Sequence, residues 1–199
     1  MKFPIYYTPE QMEQIQEFIL QNFAGTDVGI IGHELKSEYV HTDILAATNA
    51  AGERYFATFG MGAREMNAPI PQLARVELVM YASENFEPTS DEARILMSEL
   101  QSLSKFPFAN GTFLGPGHTI AASELFEETF GFEAFVFAPV EHAKIDDLGD
   151  VLFLLVIPIY EEERDEMIRG NSFDVIEQLE DSFGGEIYYA DSDRVSLLV

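Results

Sequence analysis

Residues 150–167, DVLFLLVIPIYEEERDEM, carry the most restrictive pattern in this chain. An unbroken apolar run, Val151–Ile157, meets Pro158 and then passes into Glu161-Glu162-Glu163. The run is far shorter than the roughly 20 apolar residues that cross a bilayer. Its Val, Leu, Ile and Phe content reads as a strand buried on both faces. Pro158 is expected to stop ladder pairing, and the glutamates suit the first turn of a following helix, at the positive end of its dipole. One segment thus predicts a core strand, its end, and an acidic surface beside it.

A chain of 199 residues fits one domain with a substantial core. Its 47% hydrophobic and 13% aromatic content exclude a disordered polymer despite a net charge of -24. With no cysteine there are neither disulfides nor thiolate metal sites. The N-terminus lacks the apolar core of a signal peptide, so the expectation is a cytoplasmic protein with no membrane association. From Phe106 to Glu163 the only Lys or Arg is Lys144, among many carboxylates. Such a field repels nucleic acid and anionic lipid and steers basic partners, and it serves solubility equally well. Adaptation to high salt fits less well, because Glu outnumbers Asp and large apolar residues abound.

Thr8-Pro9-Glu10-Gln11 has the form of a helix start, and Met12, Ile15, Phe18 and Ile19 continue it over 9–23. Strands are predicted at Val28–Leu35 and Tyr39–Thr48, the latter turning through Asn49-Ala50-Ala51-Gly52 into Arg54–Phe59, and at Arg75–Tyr81. Thr89-x-x-Glu92 reads as a capping box opening a helix over 90–104. The stretch Phe106–Ile120 is punctuated by glycine and proline. Strands at Phe132–Phe137 and Val151–Ile159 follow, then helices at 161–168 and 172–182, with Ser172 as N-cap of the second. Glu186–Tyr189 and Val195–Val199 read as closing strands. The pattern predicts an α+β class: a largely antiparallel or mixed β-sheet packed with helices, a single domain over 1–199 with a helical N-terminal extension over about 1–27.

The search for chemistry yields fragments. His33-Glu34-Leu35-Lys36-Ser37 starts like a zinc-protease motif but lacks the second histidine. His41 and Asp43 share one face of a strand, as a hydrogen-bonded pair or as two ligands without a third. Gly115-Pro116-Gly117-His118 is a tight loop without the Lys-Ser/Thr ending of a phosphate loop, and His118 lacks a companion nucleophile. Ser102, Ser104 and Ser123 lie in no nucleophile elbow. The Glu161–Glu163, Asp165, Glu166 group fits no EF-hand loop, and Asp146, Asp147 and Asp150 form a second loose acidic group. Both suit a solvated face as well as a contact surface. Glu77 is expected to be buried and paired with Arg75 or Arg54, while Phe113 and Phe132 suit loop or core. No cofactor is implied.

The order of the segments adds to this. HTDILAATN (41–49), YFATFGMGAREM (55–66), RVELVMY (75–81), LQSLSKFPF (100–108), FLGPGHTI (113–120), DVLFLLVIPIYEEERDEM (150–167), GNSFDVIEQL (170–179) and DSDRVSLL (191–198) occur with the order and spacing of the suppressor-of-fused domain family, which the chain resembles over roughly 28–199. The family often carries a Trp-Pro pair before its middle helix; here Pro88-Thr89-Ser90-Asp91 stands there, and the chain has no tryptophan.

The resemblance implies a binding fold rather than an enzyme. In animals the family member sequesters Gli-type zinc-finger transcription factors with the help of a second domain, so that role is not expected of a 199-residue chain. Stand-alone bacterial relatives are regarded as immunity proteins that neutralise toxins. The expectation is therefore a non-enzymatic, immunity-type module binding a basic toxin partner, with a housekeeping interaction module of the same fold as the alternative. A hydrolase or metal enzyme using His41, Asp43 and His118 is a third reading. The candidate contacts are Glu161, Glu162, Glu163 and Asp165, then Asp146, Asp147 and Asp150, with the loop residues Gly115, Gly117 and His118 beside them.

Overall fold

The apolar run sits in the middle of the molecule because each of its two faces meets a different layer of side chains. The computed structural model describes residues 5–23, 26–32, 38–49 and 52–198. In it, strand β7 (Gly149–Ile159) lies between β4 (Val76–Ala82), to which it is parallel, and β6 (Ala134–Ile145), to which it is antiparallel. Leu152, Leu154 and Val156 face one core; Val151, Phe153, Leu155, Ile157 and Ile159 face the other side. With neighbours on both edges and both faces, the side chains of either face are apolar, which explains the lack of alternation.

The remaining strands are β1 (Thr26–Gly32), β2 (Asp43–Thr48), β3 (Arg54–Phe59) and β5 (Thr119–Ala121). Among the described residues the sheet has seven strands in the order β1-β2-β3-β4-β7-β6-β5, and every pair except β4–β7 is antiparallel. Helix α2 (Asp91–Asn110) and the short α3 (Glu124–Phe130) cover one face through Leu96, Leu100, Leu103 and Phe126. On the other face α1 (Pro9–Asn22) buries Ile15 and Ile19 against Tyr55 and Phe153. Beside it α4 (Glu161–Arg169) and α5 (Ser172–Phe183) bury Met167, Val175, Ile176 and Leu179 against the end of β7. The expected α+β class with a mixed, largely antiparallel sheet is what the chain adopts.

Several details differ from the sequence expectation. β7 runs through Pro158, which pairs with Phe135. In a strand the N and O of one residue point to the same edge. The Pro158 carbonyl faces away from β6, accepting from Arg194 Nη2 at 3.0 Å, on the side where pairing with β4 ended at Leu155. The missing N–H therefore costs no ladder bond. Helix α2 is capped by Ser90 rather than Thr89, its hydroxyl accepting from the Ala93 N–H, and continues through Pro107 to a left-handed Gly111. Asn171, not Ser172, caps α5. β2 starts only at Asp43, and Val40 makes an isolated bridge to Ile5.

β6 continues past Phe137 and returns through the tight turn 146–148 into β7, with Asp147 at a φ of 58°. Residues 184–188 form a 3-10 turn instead of a strand, and 191–198 form none. The His33–Ser37 segment and Ala50-Ala51 of the expected hairpin loop lie outside the described residues.

Candidate functional site

Three chemically distinct places emerge from the fold. The first is the junction of α4 and α5. Glu161, Glu162 and Asp165 are exposed on α4, where the helix dipole favours carboxylates in the first turn. Asp165 pairs with Arg169 at 3.2 Å, and the Glu161 N–H donates to Glu133 Oε2 at 3.1 Å.

Glu163 behaves otherwise. It is fully buried, one helical turn before the buried Met167, and forms a two-pronged pair with Arg194: Nη1 to Oε1 at 2.7 Å and Nη2 to Oε2 at 2.8 Å. Its oxygens also accept the Tyr160 and Leu197 N–H groups, each at 3.0 Å. The guanidinium lies over the rings of Phe132, Tyr160 and Phe183 at 5.0–5.7 Å. Glu163, expected as a contact on the surface, instead fastens the C-terminal segment to α4, because the helical repeat turns it inward.

Around this junction the surface is mixed. Ile168 is 64% exposed at the end of α4, and Phe173 is 44% exposed at the start of α5. The loop Gly115–His118 lies against the same α5 start. Ser172 Oγ donates to the Gly117 carbonyl at 2.7 Å, and a Cβ on Gly117, whose φ is +78°, would meet Phe173 and Ser172. Gly117 N–H and the His118 carbonyl extend the β6 ladder through Phe137. His118 packs edge-on to the half-buried Phe113, whereas Phe132 is core. Gly117, His118 and the exposed acids of α4 therefore belong to one region of surface, while Gly115 is buried behind it.

Asp146, Asp147 and Asp150 form the second place, at the opposite end of β7. Nine residues of strand, Val151–Ile159, separate Asp150 from the start of α4, roughly 30 Å of chain, so the two acidic groups are separate surfaces. Asp146 exchanges hydrogen bonds with Gln14 of α1: its N–H donates to Oε1 at 2.9 Å, and its carboxylate accepts from Nε2 at 3.2 Å.

The third place is a buried carboxylate on the central strand. Glu77 is inaccessible to solvent and touches neither Arg75 nor Arg54. It accepts from the Tyr7 hydroxyl at 2.6 Å, from Thr58 Oγ1 at 2.5 Å, and from the N–H groups of Gly60 and Gly62, each at 3.0 Å. Burial raises the Glu77 pKa, against the lowering effect of these four donors, and burial beside Glu77 also pushes the Tyr7 phenol up. A Cβ on Gly62 would stand 2.4 Å from the Tyr7 hydroxyl, and one on Gly60 2.1 Å from the His41 carbonyl, so the G-x-G of YFATFGMGAREM is needed for the backbone to reach this carboxylate. The Arg75 guanidinium is engaged elsewhere, on the Gly62 and Ala63 carbonyls and Glu65.

His41 and Asp43 do pair, Nε2 to Oδ1 at 3.1 Å, with Tyr6 stacked on the imidazole. They lie by β2, and His118 by β5. Five interstrand spacings separate these strands, roughly 24 Å, so the three do not form one site. Among the described residues no group of three or more His, Cys, Asp or Glu is placed to hold a metal ion, and no helix is long and apolar enough to cross a membrane.

A family model described as suppressor of fused protein matches residues 38–195. The chain belongs to the suppressor-of-fused family. The architecture agrees. A solved structure titled as the Sufu–Fu complex aligns with a TM-score of 0.69 at 16% identity, covering 96% of this chain and 93% of that one. A crystal structure of Drosophila Suppressor of Fused aligns with a TM-score of 0.54 at 14% identity, covering 85% of this chain but 42% of that one. At such identities the likeness is one of fold. No protein of curated function matches the sequence. The suppressor-of-fused landmarks fall on the structural features above: G-x-G on the Glu77 donors, DSDRVSLL on Arg194, and FLGPGHTI on the loop beside α5.

Proposed function

We propose that this suppressor-of-fused domain is a protein-binding module of the immunity type, which neutralises a basic toxin by covering it with the α4–α5 junction. One observation carries the reading: exposed Ile168 and Phe173 stand among the exposed carboxylates Glu161, Glu162 and Asp165, next to the Gly117–His118 loop. An apolar centre with a charged rim is the anatomy of a protein interface, and a carboxylate rim selects a basic partner. Membership of a family in which one solved structure is a complex with Fu supports protein binding in general. The net charge of -24 would speed encounter with a cationic surface and make association fall with salt.

The test is capture and rescue. The protein encoded beside this one should co-purify with it, and its toxicity should be relieved when the two are co-expressed. Reversing Glu161, Glu162 and Asp165 to lysine should slow association and flatten its dependence on ionic strength. Ile168→Ser and Phe173→Ser should mainly speed dissociation. An unchanged salt slope in the charge-reversed variant rejects this face, and an adjacent protein that is neither toxic nor bound rejects the immunity role.

A further inference from the structure

The loop 65–75 and the β6–β7 turn face each other across a cavity of about 490 Å³, far from the α4–α5 junction. That volume lies within the usual range of ligand pockets, roughly 300–1,000 Å³. Its lining combines apolar groups (Met66, Ile70, Pro71, Leu148) with the carboxylates Glu65 and Asp150. The cation in the lining, Arg75, is already compensated. Its Nη1 is held by the Gly62 and Ala63 carbonyls at 3.0 and 2.8 Å, and its Nη2 by one oxygen of Glu65 at 3.2 Å. Asp150 is exposed and, among the described residues, makes no side-chain hydrogen bond or ion pair, even with Lys144 opposite it in the ladder. Asp146 and Asp147 in the adjoining turn add to the negative potential.

The groove is also preformed. The loop is pinned by Met66 N–H on the Ala74 carbonyl at 2.7 Å, and by Asn67 on the Thr112 and Gly111 carbonyls at 3.2 and 3.0 Å. Ile70, 49% exposed, is held between Pro69 and Pro71, whose rings fix the backbone on either side. An apolar side chain displayed on a stiff loop loses little entropy when something packs on it.

We propose that this groove takes up a basic side chain, a lysine or arginine of a protein partner. Its aliphatic stem lies on Ile70, Pro71 and Leu148, and its cationic head meets Asp150 and the second oxygen of Glu65. Only an amphipathic cation satisfies both halves of the lining. An anion would meet two carboxylates, and a purely apolar group would desolvate them without compensation. The proposal rests on the reading that the domain binds a basic protein, and adds a contact at the other end of β7.

The probe is n-butylguanidinium, with neutral n-butylurea as its isostere, titrated into ¹⁵N-labelled protein. Butylguanidinium should give saturable shifts at the amides of Ile70, Gln72, Leu148, Gly149 and Asp150, and butylurea should bind much more weakly. Asp150→Asn should weaken binding roughly tenfold, the worth of one charge-assisted contact, and Ile70→Ser should weaken it as well. Both positions are exposed, and the dispersed amide spectrum of each variant shows that it is folded.

Equal binding of butylurea, unchanged affinity in Asp150→Asn, or shifts spread over all acidic surfaces without saturation would overturn the proposal. The broader reading fails separately. A captured partner that binds the Ile70→Ser/Asp150→Asn double variant as tightly as the parent excludes this groove and leaves the α4–α5 face standing. Saturable binding of the probe with no basic partner captured supports the groove and removes the larger role.

Discussion

Replacing Arg194 by methionine should destabilise the domain far more than its place near the chain's end suggests. The guanidinium and the Glu163 carboxylate are both fully buried and bound through two parallel hydrogen bonds. Removing one member strands the other charge in a medium that hydrates it poorly, which typically costs about 3–5 kcal/mol. In Arg194→Met the carboxylate keeps the Tyr160 and Leu197 N–H donors, so the lower end applies, about 3 kcal/mol. In Glu163→Leu the guanidinium keeps the Pro158 and Val195 carbonyls and three rings, but the two N–H groups aimed at the carboxylate lose their acceptor, so the cost is nearer about 5 kcal/mol. At roughly 2–4 °C per kcal/mol for a domain of this size, the first variant should melt ~6–12 °C below the parent.

Urea titrations of the parent, both single variants and Glu163→Leu/Arg194→Met form a cycle. The double variant should be more stable than the summed singles predict by about 3 kcal/mol, because the second change removes the stranded charge. Glu162→Gln, on the exposed face, should stay within about 0.5 kcal/mol of the parent. Single variants that cost under about 1 kcal/mol and add independently are the behaviour of a surface pair, and would refute the burial argument.

Two further outcomes follow from the Glu77 site. Its carboxyl has a raised pKa in the folded state, so the native protein holds that proton more firmly than the unfolded chain. Its contribution to stability is fully present below the unfolded value near 4.5 and is lost as pH rises through the folded value. Glu77→Gln should remove that decline, so the gap between variant and parent in urea midpoint narrows as pH rises above 4.5; a constant gap from pH 4 to 8 contradicts it. Gly62→Ala drives a methyl toward the Tyr7 hydroxyl and to 3.0 Å from Val151 Cγ1, and should cost about 1–3 kcal/mol by overpacking. Pairing it with Tyr7→Phe should recover part of that loss, and no recovery would show that Val151 is the limiting contact.

The fold was legible where one physical demand dominates a segment. Val151–Ile157 could only be a doubly buried strand, and the stripes of α1 and α2 followed the helical repeat. The site was less legible because partners lie far apart in sequence. Nothing local distinguishes Glu163 from Glu161 or Glu162 as an acid. Yet it stands four residues before Met167 on the inward face and at the third helical position, where a glutamate reaches back to the helix start. Glu77 lay in an apolar strand and was rightly expected to be buried. Its partners, Tyr7 and two glycine N–H groups, could not be deduced because hydrogen bonding to backbone has no charge signature. α3 was missed because its seven residues are too few to show a repeat, although Ser123 and Gly131 mark both its ends.

The parallel pairing of β4 with β7, Val76–Val79 with Leu152–Leu155, also decides how the sheet can assemble. β1 to β4 form a meander of neighbours, and β6 closes on β7 across a turn of three residues, so both blocks can zip locally. Joining them means bringing together positions 76 residues apart, a loop-closure cost of about 4 kcal/mol before any core contact repays it. The seam between the blocks is thus the natural kinetic bottleneck. A newly made chain exposes the apolar edges of β4 and β7 until the two blocks join.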